Sequence, residues 1–281
     1  MITALCNVLG IEKPLLSAPL GGAAGPELVA AVSNAGGYGV IPLWGGPADE
    51  VRDGIRRTCA LTDRNFAVNL NVSVDYRAAL QVCIDEGVHA VSLFWGHEPD
   101  AIDTAKAGGL VVLATVGTAA EAKVAQAAGV WVGTRFLAAP AAKIHETYRQ
   151  AILAASGEQA EWYADLYDGH WRDAPHRALR NATSEGWRGA DCPASGLRPD
   201  EGQVVGSRPG GGDVRRYDSY TPRPGTTGDV GAMSLWSGQG VGLVHEVKGA
   251  ACIVDEICND ARRIVASKSA DLKFPPGSGE P

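Results

Sequence analysis

Two amides, Asn69 and Asn71, lie on one face of the apolar stretch Phe66-Ala67-Val68-Asn69-Leu70-Asn71-Val72. A buried amide needs a hydrogen-bond partner, and at the carboxyl end of a parallel strand a ligand is a natural one. Ser17-Ala18-Pro19-Leu20-Gly21-Gly22-Ala23 sets two glycines after a short apolar run. Glycines there let a flat ligand approach the backbone, although a plain tight turn between strand and helix uses them equally well. Gly133-Thr134 offers backbone donors and a hydroxyl to an anion, with the charge of Arg135 beside it; pairing of Arg135 with a carboxylate is the ordinary alternative. Trp236-Ser237-Gly238-Gln239-Gly240 puts Trp236 and Gln239 next to a glycine hinge, a set that suits the edge of a ligand ring or a turn with no role. The histidines are His89, His97, His145, His170, His176 and His245. Only His97, in Trp95-Gly96-His97-Glu98, follows the carboxyl end of a strand, where a barrel's active face lies. A solvated loop residue is the favoured reading even there. His176 reads as structural, and His145 begins a helix.

Repeating strand–helix units must position these residues. Residues 14–20 form a short apolar strand, and 27–34 an amphipathic helix with Pro26 in its first turn and Gly36-Gly37 as its stop. Strands at 38–43, 66–72, 88–94 and 110–116 alternate with helices at 47–61, 76–86, 99–107 and 119–128. Five strands separated by helices of about ten residues predict a parallel sheet, most simply a (β/α) barrel of the TIM type. A doubly wound sheet is the alternative, but the first turn lacks the dinucleotide fingerprint. Residues 131–136 predict a sixth strand. From Gly157 the character changes: 189–230 is rich in Gly, Pro, Asp and Arg, and so long a loop is usually functional or disordered. Its aromatic residues suggest a lid packed on something. Residues 233–244 turn apolar again, and 249–267 predict a strong terminal helix.

The bulk numbers narrow the function. With 25 Lys and Arg against 32 Asp and Glu, the 281 residues carry a net charge of -7, which argues against nucleic acid as a partner and favours a small molecule. The six cysteines show no CxxC spacing and read as reduced core thiols of a cytoplasmic protein; no metal site is expected. No leader pattern or apolar run of transmembrane length is found, so no membrane is expected.

Taken together, the motifs resemble the nitronate monooxygenases, formerly 2-nitropropane dioxygenases. The resemblance runs in order through the Ser17–Gly22 strand end, Ala31-Val32-Ser33-Asn34-Ala35-Gly36-Gly37 and Leu61-Thr62-Asp63. It continues through Phe66–Leu70, Val91-Ser92-Leu93-Phe94-Trp95-Gly96 and Gly133-Thr134-Arg135-Phe136-Leu137-Ala138. Pro175-His176-Arg177-Ala178-Leu179-Arg180-Asn181 is similar to the family's inserted helical segment, and residues 235–244 to the strand that returns to the barrel. The resemblance implies an FMN-dependent (β/α)8 barrel that oxidises alkyl nitronates or nitroalkanes with O2. It places Leu20, Gly21 and Gly22 against the flavin ring, Asn69 on the ring or ribityl chain, and Trp131, Val132, Gly133 and Thr134 near the phosphate.

The same comparison implies a gap. An ending like Ala127-Ala128-Gly129-Val130 leads into the family's sixth strand, and one like residues 131–138 is its eighth, yet here they are fused. A βα unit takes about 30 residues, so strands six and seven are expected to be missing. With them go the glycine-rich segment bearing the family's catalytic histidine and a Gly-Gly turn that holds the phosphate. The expected architecture is an incomplete barrel, residues 1–150 plus 233–267, with a lid-like insertion at 151–232 and a flexible tail at 268–281. Activity is expected to be reduced or lost. A non-catalytic barrel remnant and an FMN-dependent enoyl-thioester reductase are the alternatives, and self-association into a homo-oligomer is compatible with the sequence.

Overall fold

The computed structural model describes residues 2–44, 46–94, 98–114, 130–169, 171 and 174–271. Its first half is built from parallel strands β1 (Leu15–Ser17), β2 (Gly39–Pro42), β3 (Phe66–Asn71), β4 (Ala90–Phe94) and β5 (Val111–Ala114). Helices α2 (Pro26–Asn34), α3 (Ala48–Cys59), α4 (Arg77–Asp85) and α5 (Pro99–Ala107) alternate with them, after a short leading helix α1 (Ala4–Leu9). Strands β2 to β5 pair in chain order, all parallel. A bridge between Leu16 and Tyr38 joins β1 to β2. The next described strand, β6 (Val130–Val132), pairs in parallel with β1 on its other side. The described parallel strands therefore run β6-β1-β2-β3-β4-β5.

The pattern of side chains explains this layering. Every residue of β3 is buried, as expected of a strand covered on both faces. The apolar stripes of α3, α4 and α5 close over one side through Val51, Ile55, Leu80, Cys83 and Ala105. Helix α2 sits so close to β2 that a side chain on Gly39 would overlap the carbonyl of Val29. On the far side α2 meets the terminal helix α9 (Ala250–Asp271) through Leu28, Ile253 and Val254.

The remainder packs as a smaller, largely non-helical body. Helices α7 (Glu146–Ala154) and α8 (Ala182–Gly189) flank an antiparallel hairpin of β7 (Ala160–Tyr163) and β8 (His176–Leu179). A second small sheet contains β9 (Val204–Ser207), β10 (Asp213–Arg215) and β11 (Thr227–Gly228), in the order β10-β9-β11. Arg198 is wholly buried here. It holds both carboxylate oxygens of Asp168, at 2.6 and 3.0 Å, and the carbonyls of Leu166 and Asp165.

Several expectations need correction. The sixth strand stops at Val132, and residues Thr134–Leu137 form a short helix, α6. Gly133 breaks the extended run, and one helical turn buries both Phe136 and Leu137. Within 175–181, His176–Leu179 form strand β8 rather than helix. Residues 233–244 return to the first half without adding a strand to it: they make one antiparallel bridge, Ala178 to Trp236, and then a 3-10 turn, Gln239–Leu243. The loop expected at 189–230 holds strands of two to four residues, too short for alternation to show in sequence. The terminal helix runs to Asp271, four residues beyond the expected end. Three cysteines are exposed (Cys59, Cys192, Cys252) and three buried, all free, so only half are core thiols. The helix expected at 119–128 and His97 lie outside the described residues.

Candidate functional site

A cavity of about 700 Å³ opens where the carboxyl ends of the parallel strands meet the smaller body, the end at which parallel barrels carry their sites. Its floor is the turn after β1, Leu20, Gly21 and Gly22, together with Gly133 and Thr134 after β6. Its roof comes from the smaller body, including Trp171, His176, Tyr220 and Trp236. Thr221 ties the two together. Its hydroxyl donates to the carbonyl of Gly21 at 2.7 Å and accepts from Trp236 Nε1 at 3.1 Å. On the opposite side the N–H of Gly238 donates to Thr134 Oγ1 at 2.9 Å.

Six of the residues singled out from sequence thus share one cavity: Leu20, Gly21, Gly22, Gly133, Thr134 and Trp236. Six others do not line it: Asn69, Asn71, Trp131, Val132, Gln239 and Arg135. Asn69 is buried, accepting from Trp44 Nε1 at 2.7 Å and donating to Ser92 O and Oγ. Asn71 Oδ1 accepts from the N–H and hydroxyl of Ser73. Trp131 is 39% exposed and donates to the carbonyl of Ser17. Val132 packs beside α2 and α9, Gln239 is exposed, and Arg135 turns away to donate to the carbonyl of Glu246.

Sequence reasoning missed Trp44. Its indole lies so close over Gly21 that a methyl group placed on that glycine would overlap the ring, and its N–H occupies Asn69. It packs against Phe94 and edge-on against Trp171, with ring centres 5.5 and 5.1 Å away. Trp44 follows β2 and Phe94 ends β4, so both sit at carboxyl strand ends, the positional signal that could have found them.

The cavity's histidine has no nitrogen to spare. His176 Nε2 accepts the N–H of Tyr167 at 3.3 Å, and Nδ1 lies 2.8 Å from the carbonyl of Ala174, to which it donates. Burial holds its pKa below the ordinary histidine value, so the neutral ring is fixed in one tautomer. Tyr148 spends its hydroxyl on the carbonyl of Trp236 and Tyr167 on Asn181 Oδ1. Among the described residues, the lining contains no Asp or Glu and therefore no free general base. Its charged members are Arg177, Arg208 and Arg223. No group of metal-ligating residues occurs among the described residues, and no described helix is long and apolar enough to cross a membrane.

Residues 3–79 match the sequence profile of the nitronate monooxygenase family. Over that segment the chain is similar to the nitronate monooxygenases. A nitronate monooxygenase of Paraburkholderia phytofirmans is 48% identical over 67 residues, 24% of this chain and 18% of that protein. A (3aS,4S,5R,7aS)-5-hydroxy-7a-methyl-1-oxo-octahydro-1H-indene-4-carboxyl-CoA dehydrogenase of Rhodococcus jostii is 34% identical over 122 residues, 43% of this chain and 35% of that protein. The chain thus covers about a third or less of these relatives. Similarity of fold extends much further. FabK from Thermotoga maritima superposes with a TM-score of 0.75 at 20% identity, over 97% of this chain and 100% of that one. A nitroalkane oxidase from Streptomyces ansochromogenes gives 0.67 at 18%, over 93% and 99%. At such identities the likeness is one of α/β fold.

Proposed function

We propose that this chain is a flavin-dependent oxidoreductase of the nitronate monooxygenase type, binding FMN in the cavity and oxidising alkyl nitronates with O2. The observation that carries the reading is the convergence of Leu20, Gly21, Gly22, Gly133 and Thr134 on one aromatic-walled cavity at the strand carboxyl ends. FMN fits the kind of lining present: glycine backbone for a flat ring, a hydroxyl and glycine turn at Thr134 and Gly238, and arginines for a phosphate. Trp44 now covers Gly21, so its indole must move for a ring to reach that glycine. When bound, FMN supplies the redox chemistry, accepting electrons from the substrate. The chain's own residues enclose the cavity and hold the ligand; with no free base among the described lining, they suit a substrate that arrives already deprotonated.

The barrel, in this proposal, lacks two βα units. The pairing of β6 with β1 supports it, because a last strand closes on the first. Part of the phosphate cradle would then be absent. With each charge-assisted hydrogen bond worth roughly 1.5–3 kcal/mol, FMN should be held weakly. The test is flavin absorbance of the purified chain before and after dialysis, with oxygen uptake on an alkyl nitronate under added FMN. Stoichiometric flavin surviving dialysis would overturn the incomplete cradle; no flavin uptake at all would favour a non-catalytic remnant.

The arginine-lined roof and the carboxyl-CoA in the name of the Rhodococcus relative, a dehydrogenase, favour one second reading, redox chemistry on a CoA thioester, which in the reducing direction is that of an enoyl-thioester reductase. NADH consumption with such a thioester in place of oxygen uptake with nitronate would select it.

A further inference from the structure

The charge of the cavity runs against that of the chain. The whole sequence carries an excess of seven acidic groups, yet three arginines and no carboxylate line the cavity among the described residues. Arg177 is engaged by the carbonyl of Ala160 at 2.9 Å. The other two are less committed and share one scaffold. Arg208 lies over the ring of Tyr220, 5.2 Å from its centre. The Tyr220 hydroxyl meets Thr226 Oγ1 at 2.8 Å, and that same oxygen accepts the backbone N–H of Arg223 at 3.1 Å. Arg208 Nε is buried without a hydrogen-bond partner, and its only ion pair among the described residues is a loose one to Asp218 at 3.8 Å. The Arg223 guanidinium makes no hydrogen bond or ion pair among the described residues. Through Thr221 the scaffold is fastened to Gly21, and both Arg208 and Arg223 line the cavity that Gly21 floors.

We propose that Arg208 and Arg223 form a phosphate-recognising subsite on the roof of the cavity. A phosphate dianion matches two guanidinium forks, each able to donate two parallel N–H bonds, and stacking on Tyr220 holds one fork in advance of binding. The subsite deepens the reading of this cavity as a cofactor and substrate pocket and rests on it. Two sources present the same chemistry, the phosphate of FMN and a phosphate on a nucleotide-bearing substrate.

The experiment uses quenching of the cavity tryptophans Trp44, Trp171 and Trp236 by FMN, riboflavin and ADP. It compares the wild-type chain with R208Q/R223Q and with R208K/R223K, ADP being titrated with and without FMN. The double glutamine variant should weaken the phosphate-bearing probe by about tenfold or more, leave riboflavin unchanged, and be partly rescued by the lysines. Loss confined to FMN assigns the subsite to the flavin phosphate; loss confined to ADP assigns it to the substrate. Binding of FMN and ADP within twofold of wild type, an equal loss for riboflavin, or a wild-type chain that binds neither phosphate probe would overturn the proposal. A chain that takes ADP through these arginines but no flavin would instead sink the flavoprotein reading and leave the subsite standing.

Discussion

The floor and roof of the cavity are made in different ways. The floor comes from parallel strand ends, where a turn inherits its position from a sheet buried on both faces, and glycine supplies the close approach. The roof comes from residues 160–238, where strands are short and side chains, not ladders, fix the shape: Arg198 on Asp168, Asn181 on Tyr167 and Met233, Thr221 on Gly21. A sheet-built floor takes its shape from backbone pairing. A roof built from side chains concentrates both its stability and its charge in a few of them.

The largest effect expected concerns what neither half supplies. With His176 committed at both nitrogens and no carboxylate in the described lining, preformed nitronate should be oxidised faster than its parent nitroalkane. The ratio should be on the order of 10²–10⁴, the usual worth of a general base. Oxygen uptake on both forms with added FMN measures it. His97→Ala should change little; fast nitroalkane turnover that disappears in that variant would make His97 the general base.

Next in size is the roof's anchor. Arg198→Met should destabilise the chain by about 3 kcal/mol, toward the lower end for breaking a buried pair because Asp168 keeps some solvent contact. Urea unfolding reads it, and a loss under about 1 kcal/mol would mean that the roof does not depend on this pair.

Trp44 sharpens the comparison, since it belongs to the floor but packs on the roof through Trp171. Its aromatic contacts are worth about 0.5–1.5 kcal/mol each, so Trp44→Ala should lower the melting temperature while raising FMN uptake several-fold. Weaker uptake would make the indole a wall that stacks on the ligand, not a cover over Gly21.

The smallest effect is a pH dependence shared by both halves. His89, bonded to the Tyr38 hydroxyl at 2.8 Å, and His176 both have pKa values lowered by burial. The unfolded chain therefore binds more protons, and stability should fall as pH drops below about 6.5, the unfolded histidine value. His176→Asn and His89→Asn should each flatten the profile between about pH 5 and 7. An unchanged slope in His176→Asn alone would show that the roof histidine is better hydrated than His89, which precedes the amino end of β4.

Much of the floor could be read directly from the chain. The alternation of apolar strands and ten-residue helices, Pro26 opening α2, and glycines after β1 and β6 are local facts, because burial on two faces and turn conformation leave periodic marks. Asn69 was recognised as an amide needing a partner, but the partner, Trp44, comes from another strand end and leaves no mark near position 69. The roof was legible only as an aromatic-rich insertion. Strands of two to four residues carry no period, and Arg208 and Arg223 look like ordinary surface charges in a Gly- and Pro-rich stretch. Sequence by itself determined the parallel α/β order and the glycine turns, since backbone conformation answers to neighbouring residues. Only the tertiary structure decided that Trp44 lies across Gly21, that His176 has no free nitrogen, and that arginines of an acidic chain gather over one cavity. Those outcomes depend on side chains brought together from distant positions, and packing sets them, not local preference.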